Sequence, residues 1–212
     1  MRDATLSLGK VFRIPVGLHW SWFLILAFLI VSLSLGSFSG VFSGGPTGLV
    51  WMVASVTSIL FFISILAHEF GHALVAMRFG IPVQRITLFI MGGIAQIAKE
   101  PQTAGQEFKI ALAGPLVSLA CAVIAGLAAI ILRPLSPLSV PAEWLARVNL
   151  ALVIFNLIPG FPLDGGRVFR SIVWNFTKNY ERATHIAGVV SSVIAFGFIA
   201  AAPGLPIDPV IP

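Results

Sequence analysis

The sequence predicts an all-α membrane protein that crosses the bilayer about five times and carries one short membrane-associated β-hairpin. Three observations predict this class: 58% of the 212 residues are hydrophobic, 10% are charged, and the apolar residues are collected in long runs. A soluble globular chain has about 25% charged residues and cannot cover so much apolar surface. The same composition excludes a disordered chain, and the single cysteine excludes a disulfide-stabilised one.

Five apolar runs are predicted to cross the membrane, since a spanning helix needs about 20 mostly apolar residues. Trp20 and Trp22 open the first run, and tryptophan is typical of the membrane interface. Pro141 and Pro159 bound the fourth run. In chain order the runs are 17–35, 48–77, 108–132, 144–158 and 186–202.

Basic residues predict how these spans are oriented. Of the 13 lysines and arginines, 11 fall on one predicted side: ten precede the first run or lie between the second and third or the fourth and fifth, and Lys109 lies at the very start of the third. Because basic loops remain in the cytoplasm, we expect a multi-pass protein of the cell membrane with a cytoplasmic N-terminus. The net charge of +5 does not indicate a nucleic-acid partner, because the basic residues flank apolar runs instead of forming one basic face.

Residues 86–97 are apolar but too short to cross the membrane as a helix, and Gly92 and Gly93 interrupt them. β-Branched residues around a central Gly-Gly pair predict a strand, a turn and a second strand. Backbone polar groups cannot face lipid, so this hairpin is expected to lie against protein or in a cavity. An ordinary apolar cytoplasmic loop is the alternative.

His68, Glu69 and His72 form an H-E-x-x-H motif inside the second run. Residues four apart lie on one face of a helix, so both imidazoles can bind one zinc ion. Glu69 is then placed to take a proton from a zinc-activated water. Ionisable residues inside a span are rare and usually functional, which disfavours the alternative of histidines that only pack in a bundle.

A third ligand is expected among the eight acidic residues. Glu143 is predicted to pair with Arg147 on the outer side of the membrane. Asp164 follows the fourth run in a proline-interrupted segment on the same side as the histidines, so it is the predicted ligand. A helix N-cap is its alternative role, and the two are compatible. The remaining acids are predicted in loops or tails: Asp3, Glu100, Glu107, Glu181 and Asp208.

The H-E-F-G-H motif, followed by N-x-x-P-x-x-P-x-D-G-G-R at residues 156–167, resembles the site-2 protease family of intramembrane zinc metalloproteases. Met-Gly-Gly at 91–93 and Ala-Gly-Pro at 113–115 also resemble that family, and the likeness covers about residues 10–202. The resemblance implies a fold with an embedded β-hairpin and one zinc ion per chain. It implies His68, His72 and Asp164 as ligands, Glu69 as general base and Asn156 as a group that holds or polarises the substrate carbonyl.

The activity implied by this resemblance is hydrolysis of peptide bonds in single-span membrane substrates. The motif precedes Arg78 by only about 6 to 10 residues, so we expect the site to lie nearer the cytoplasmic face. A substrate helix must unwind first, and we expect Gly92, Gly93 and Ile94 to hold it as an added strand. The chain has no PDZ insertion, so it resembles the compact branch, whose members usually have a sixth span and often C-terminal CBS domains. We therefore expect residues 1–212 to form a single membrane-embedded metalloprotease domain that ends before those parts.

Two other functions remain open from the sequence. A membrane zinc protease with a glutamate as third ligand is disfavoured, because Glu143 alone lies beside a later span and it is on the opposite side. A non-enzymatic protein, such as a metal transporter or an inactive relative that only binds helices, is disfavoured because Glu69 supplies a base that mere binding does not need. His19 is expected to pack at the interface, with the mouth of a cavity as its alternative place.

Overall fold

The computed structural model describes residues 6–41, 46–135 and 137–201, with side chains through residue 198. The predicted C-terminal tail, 204–212, lies outside these residues, as do Asp3 and Asp208. A π-helical turn continues α1, and a short 3-10 turn continues α3. In chain order the elements are β1 (Leu6–Val11), β2 (Ile14–Leu18), α1 (Trp20–Ser32), α2 (Thr47–Arg78), β3 (Val83–Phe89), β4 (Gly92–Ile97), α3 (Ala104–Leu132), α4 (Ser139–Asn156), α5 (Asp164–Thr177) and α6 (Tyr180–Ala201).

Three helices of the described chain are long and apolar enough to cross a membrane, and they match the first three predicted runs. They cover Trp20–Ser37, Thr47–Arg78 and Ala104–Leu135. Helices α4 and α6 coincide with the fourth and fifth runs but are not among these three, and α4 carries the charged residues Glu143 and Arg147. The predicted count of five spans therefore stays a prediction.

The strands form one four-stranded sheet in the order β1-β2-β3-β4, which is larger than the single hairpin predicted. Strands β1 and β2 are antiparallel, and β2 continues the sheet by pairing in parallel with β3. The turn between β1 and β2 places Phe12 and Arg13 at φ values of 50° and 68°. Non-glycine residues seldom adopt this conformation. Because neither glycine nor asparagine occupies the turn, the usual sequence signal of a hairpin is missing here.

The predicted β3–β4 hairpin is present, but its turn is at Ile90 and Met91, and Gly92 and Gly93 begin β4. Gly92 adopts φ +121°, which favours glycine. At Gly93 a Cβ atom would lie 2.4 Å from Cγ of Glu69. The second glycine thus permits close approach to α2 instead of forming the turn.

The sheet packs on the part of α2 that carries the H-E-x-x-H motif. Ile14, Val16 and Ile86 of the sheet form a buried cluster with Phe70 and Ala73 of α2. Because Phe70 lies between the motif residues, this cluster brings the outer edge of β4 beside Glu69. On the other side of the motif, α3 packs against α2, α4 and α5.

Candidate metal centre

The structure brings His68, His72 and Asp164 together in the interior. The Nε2 atoms of the two histidines lie 3.1 Å apart. Oδ2 of Asp164 lies 3.1 Å from Nε2 of His68 and 3.2 Å from Nε2 of His72. Four ligands placed tetrahedrally at zinc distances of 2.0–2.1 Å are about 3.3 Å from one another, so these three atoms have the separation that zinc requires.

The two histidines project from one face of α2, as their four-residue spacing predicts, and both are buried. Asp164 is the first residue of α5, and Leu163 is the N-cap residue without a side-chain capping bond. Asp164 therefore does not act as the N-cap, and its carboxylate is directed to the histidines instead.

Helix α3 holds both imidazoles from behind. Nδ1 of His72 donates to the backbone carbonyl of Ile110 at 2.7 Å. Nδ1 of His68 lies 2.9 Å from the hydroxyl oxygen of Ser118. A proton on each Nδ1 leaves the Nε2 lone pair free for a metal, and such outer partners fix the ring orientation of histidine ligands.

Gly114 of α3 lies directly against the predicted ligand atoms. A Cβ atom at this position would be 2.2 Å from Nε2 of His72 and 2.6 Å from Nε2 of His68. Only glycine leaves this space open. The two nitrogens, one carboxylate oxygen and the glycine beside them form a donor set and a space that suit zinc.

Glu69 lies between the two histidines in sequence and turns toward the sheet. Its Oε2 accepts a hydrogen bond of 3.1 Å from the backbone N–H of Ala95 in β4. Since this N–H is directed away from β3, the neighbouring Ile94 has its backbone groups directed toward β3. The open edge of β4 is thus presented by Gly93 and Ala95, while the Ile94 side chain is half exposed.

A cavity of about 300 Å³ adjoins His68 and Glu69. Asn156, the last residue of α4, lines it, and so do Gly92 and Gly93 at the start of β4. Its remaining walls are mostly apolar and come from α1, α2, α4 and the β3–β4 turn at Ile90 and Met91. The cavity therefore joins the predicted base, the predicted carbonyl-binding amide and the sheet edge.

The segment between α4 and α5 is non-helical, as Pro159 and Pro162 predict. Its course depends on Gly165 and Gly166. A Cβ at Gly165 would lie 2.3 Å from the carbonyl oxygen of Ile158, and one at Gly166 would lie 2.7 Å from backbone carbon of Gly160. Without side chains at these two glycines, the segment before α5 can pack closely against the start of that helix. This packing determines the position of Asp164, the first residue of α5.

Two of the five acids predicted in loops or tails are in helices. Glu107 lies in the first turn of α3, fully buried, and Glu181 is exposed at the start of α6. The prediction for Glu107 was wrong because burying a charged carboxylate costs free energy unless it is paired, and the sequence does not show its partner, Arg170. Glu100 is in a loop, as predicted, and the Glu143–Arg147 pair is confirmed at 3.3 Å.

His19 is buried and acts as the N-cap of α1, a role that was not predicted. Its Nδ1 accepts from the backbone N–H of Ser21 at 3.3 Å and lies 2.8 Å from the Ser21 hydroxyl oxygen. That hydroxyl oxygen in turn accepts from the N–H of Ile90 at 3.2 Å. These bonds tie the start of α1 to the hairpin turn, whose Ile90 lines the cavity described above, while His19 itself is not among the residues that line it.

Four residues that contact the site have roles that the sequence does not predict: Ile110, Gly114, Ser118 and Ala95. Ile110 and Ala95 act through backbone atoms, which leave no signal in the side-chain pattern. Ser118 is 50 residues from the histidine it contacts. A motif that includes Gly114 was noticed, but the need for glycine is evident only from its distance to the imidazoles.

An H-E-x-x-H helix that converges with a distant carboxylate, within apolar helices, is the arrangement of a membrane zinc metalloprotease. Comparison with known proteins identifies the family. Residues 56–139 and 134–199 match peptidase family M50. The chain therefore belongs to this family, the zinc metalloproteases of the site-2 type, as the resemblance predicted.

Several named zinc metalloproteases are similar to this chain. Protein sll0528 of Synechocystis is 43% identical over 203 residues, which cover 94% of this chain and 52% of the relative. Rip3 of Mycobacterium tuberculosis is 39% identical over 204 residues, with coverage of 94% and 51%. The chain thus spans about half the length of the curated relatives it matches.

A solved structure is also similar. The site-2 protease from Methanocaldococcus jannaschii superimposes with a TM-score of 0.61 and 31% sequence identity. The likeness covers 92% of this chain and 85% of the solved one. The helical fold with its small sheet is therefore that of a site-2 protease.

Proposed function

We propose that this chain hydrolyses peptide bonds of membrane-spanning substrate segments with one zinc ion held by His68, His72 and Asp164. The observation that carries the proposal is the convergence of these three side chains, with Glu69 and an open sheet edge beside them. When bound, zinc supplies Lewis-acid chemistry by polarising a peptide carbonyl and lowering the pKa of a water molecule.

We assign Glu69 as the general base. Glu69 lines the same cavity as His68, and the N–H of Ala95 holds one oxygen of its carboxylate in place at 3.1 Å. The other oxygen is left to take a proton from the attacking water and to pass it to the leaving amine. A single N–H donor thus orients the base without occupying both of its oxygens.

We assign Asn156 to the substrate carbonyl, because its amide N–H groups can donate to an oxygen that gains negative charge. Asn156 lines the same cavity as His68 and Glu69, which supports this role. Gly92, Gly93 and Ile94 are proposed to bind an unwound substrate segment along the edge of β4, with backbone pairing at Gly93 and side-chain contact at Ile94.

The proposed location is the cell membrane, with a cytoplasmic N-terminus and the site nearer the cytoplasmic face. The bias of basic residues supports this orientation. Single-span membrane proteins are the proposed substrates, since an apolar cavity beside a strand edge suits one extended segment at a time. The single-domain organisation also remains a proposal.

Cleavage of a fluorescent single-span substrate by the purified, zinc-loaded chain tests the function. We expect the wild type to cleave it and Glu69→Gln to lose activity by about 10²- to 10⁴-fold, the usual contribution of a general base. Glu143→Gln, a matched change at an exposed ion pair, should retain activity.

Two outcomes would contradict the proposal. A wild type that holds zinc but cleaves no membrane substrate would favour an inactive relative or a metal-binding protein that only binds helices. Full activity in Glu69→Gln would remove the assigned base.

A further inference from the structure

One face of α3 contacts both histidines of the candidate metal centre. Glu107, Ile110, Gly114 and Ser118 are three to four residues apart, so they form a stripe along one side of the helix. Ile110 and Ser118 contact the two histidines, and Gly114 lies against both Nε2 atoms. Glu107, at the start of the stripe, is the member for which the proposed mechanism has no use.

Glu107 is fully buried and forms an ion pair with Arg170 of α5. Nε of Arg170 donates to Oε1 of Glu107 at 2.9 Å, and Nη2 donates to the same oxygen. Oε2 of Glu107 has no partner among the residues that the structure describes. An unpaired buried carboxylate is strongly destabilising, so the ion pair with Glu107 holds Arg170 at a fixed position beside α3.

The guanidinium of Arg170 also contacts two aromatic rings. Its central carbon lies 5.3 Å from the ring centre of Phe161, in the segment before α5, and 4.8 Å from that of Tyr180, the first residue of α6. A planar guanidinium combines such stacking with directed hydrogen bonds, which a lysine cannot do. One side chain therefore joins α3, α5, α6 and the segment that leads to Asp164.

The distances along the two helices match. Arg170 follows Asp164 by six residues, a rise of about 9 Å, and Glu107 precedes Gly114 by seven, a rise of about 10.5 Å. The start of α3, at Phe108, lines a groove with the second half of α5, at Ser171 and Phe176. Farther along α3, Gly114 lies against Nε2 of His72, the atom that Asp164 at the start of α5 also approaches, so the two helices run antiparallel. Fixing Arg170 at Glu107 thus brings Asp164 to the level of Gly114.

We propose that Glu107 and Arg170 are positioning residues that set the place of the third ligand, Asp164, relative to the two histidines. The inference rests on the proposed zinc ligation. It predicts that breaking the pair changes the metal centre itself, although neither residue touches a ligand atom. A pair that only stabilises the fold would lower the melting temperature and leave the loaded site unchanged.

The test measures metal binding by the whole chain in detergent, with Glu107→Gln and Arg170→Lys as conservative variants. Zinc affinity is measured by competition with a chelator, and cobalt is used as a spectroscopic substitute because its visible absorption reports ligand geometry. The matched controls are Glu143→Gln and Arg147→Lys in the exposed ion pair. Thermal melting of each metal-free protein reports the fold separately.

We expect both variants of the buried pair to weaken zinc binding by about 10- to 100-fold, as loss of an outer partner usually does. At saturation, their cobalt spectra should differ from the wild-type spectrum, whereas the two controls should match it. Wild-type affinity and an unchanged spectrum in both variants would overturn the inference, whatever their melting temperatures.

Failure of both variants to fold in excess zinc would also overturn it, because the ion pair would then be required for folding as a whole and not specifically for the position of Asp164. A wild type that binds neither metal would contradict the proposed function itself. The two failures are therefore distinguishable.

Discussion

Gly114 and His72 approach so closely that a Cβ atom on the glycine would lie 2.2 Å from Nε2 of the histidine. The same glycine lies against His68, so the backbone of α3 forms one wall of the candidate zinc site. A side chain as small as a methyl group would clash with the Nε2 atoms of both histidines, which are the proposed ligand atoms.

Gly114→Ala is therefore expected to weaken zinc binding by at least about tenfold, comparable to the loss of an outer partner. The measurement is zinc affinity by chelator competition. Gly126→Ala, on the same helix, is the matched control, because its Cβ would meet only Ala146 at an ordinary 3.9 Å. Equal affinities in the two variants would mean that the imidazoles can move away from this wall.

Proline substitutions in β4 should distinguish residues whose backbone faces the open edge of the strand from residues whose backbone pairs with β3. Ala95→Pro removes the N–H that holds Glu69, and proline is tolerated where an N–H is directed away from the sheet. We expect zinc and the fold to be retained while cleavage falls at least about tenfold, since an unoriented base is a poorer one. Kinetics and zinc content of the purified variant measure this.

Ile94→Pro is expected to behave differently, because Ile94 is opposite Thr87 in the β3–β4 ladder. It should lower the melting temperature as well as cleavage, while Ile94→Val and Ala95→Gly should change little. If both proline variants lose the same amount of cleavage and have the same melting temperature, the backbone of Ala95 does not face the open edge of β4 as assigned.

Gly165→Ala is expected to displace Asp164, the proposed third ligand, by shifting the backbone before it. The added methyl group would lie 2.3 Å from the carbonyl oxygen of Ile158, so the segment before α5 must shift and Asp164 with it. We expect a loss of about 1–3 kcal/mol in the free energy of unfolding, the usual cost of overpacking, and weaker zinc binding. Gly188→Ala in α6, where nothing lies within 4 Å, should be neutral in both assays.

The orientation in the membrane can be tested by cysteine labelling. The charge bias predicts Gly40 outside and Lys99 inside. In a Cys121→Ser background, single cysteines at these positions should react with an impermeant reagent from opposite faces. Labelling of both from one face would show that the number of spans between them is wrong.

The sequence predicted those parts of the site that depend on local spacing. His68 and His72 share a face because four residues make about one helical turn. Asp164 is predicted because it follows the fourth run on the same side as the histidines, in a segment that Pro159 and Pro162 keep from being helical, while the other acids lie elsewhere. Parts that depend on distant pairing were not predictable. Glu107 and Arg170 are 63 residues apart, and neither belongs to a local pattern.

The fold was predictable to a similar extent. The long apolar helices and the β3–β4 hairpin follow from hydropathy and β-branched residues. Strands β1 and β2 were missed because the turn at Phe12 and Arg13 uses residues that rarely adopt positive φ. The role of Gly93 was misjudged because glycine in a turn and glycine at a close approach look the same in a sequence.

X-ray absorption at the zinc edge of the loaded, purified chain is the decisive measurement, because ring scattering counts the imidazoles and the inner peak gives the distances of the nitrogen and oxygen donors around the metal. We predict one zinc per chain with two imidazoles and oxygen donors at about 2.0–2.2 Å, and a changed coordination shell with reduced zinc content in Asp164→Ala. A wild-type spectrum with fewer than two imidazoles, or an Asp164→Ala variant with an unchanged shell and full zinc content, would contradict it.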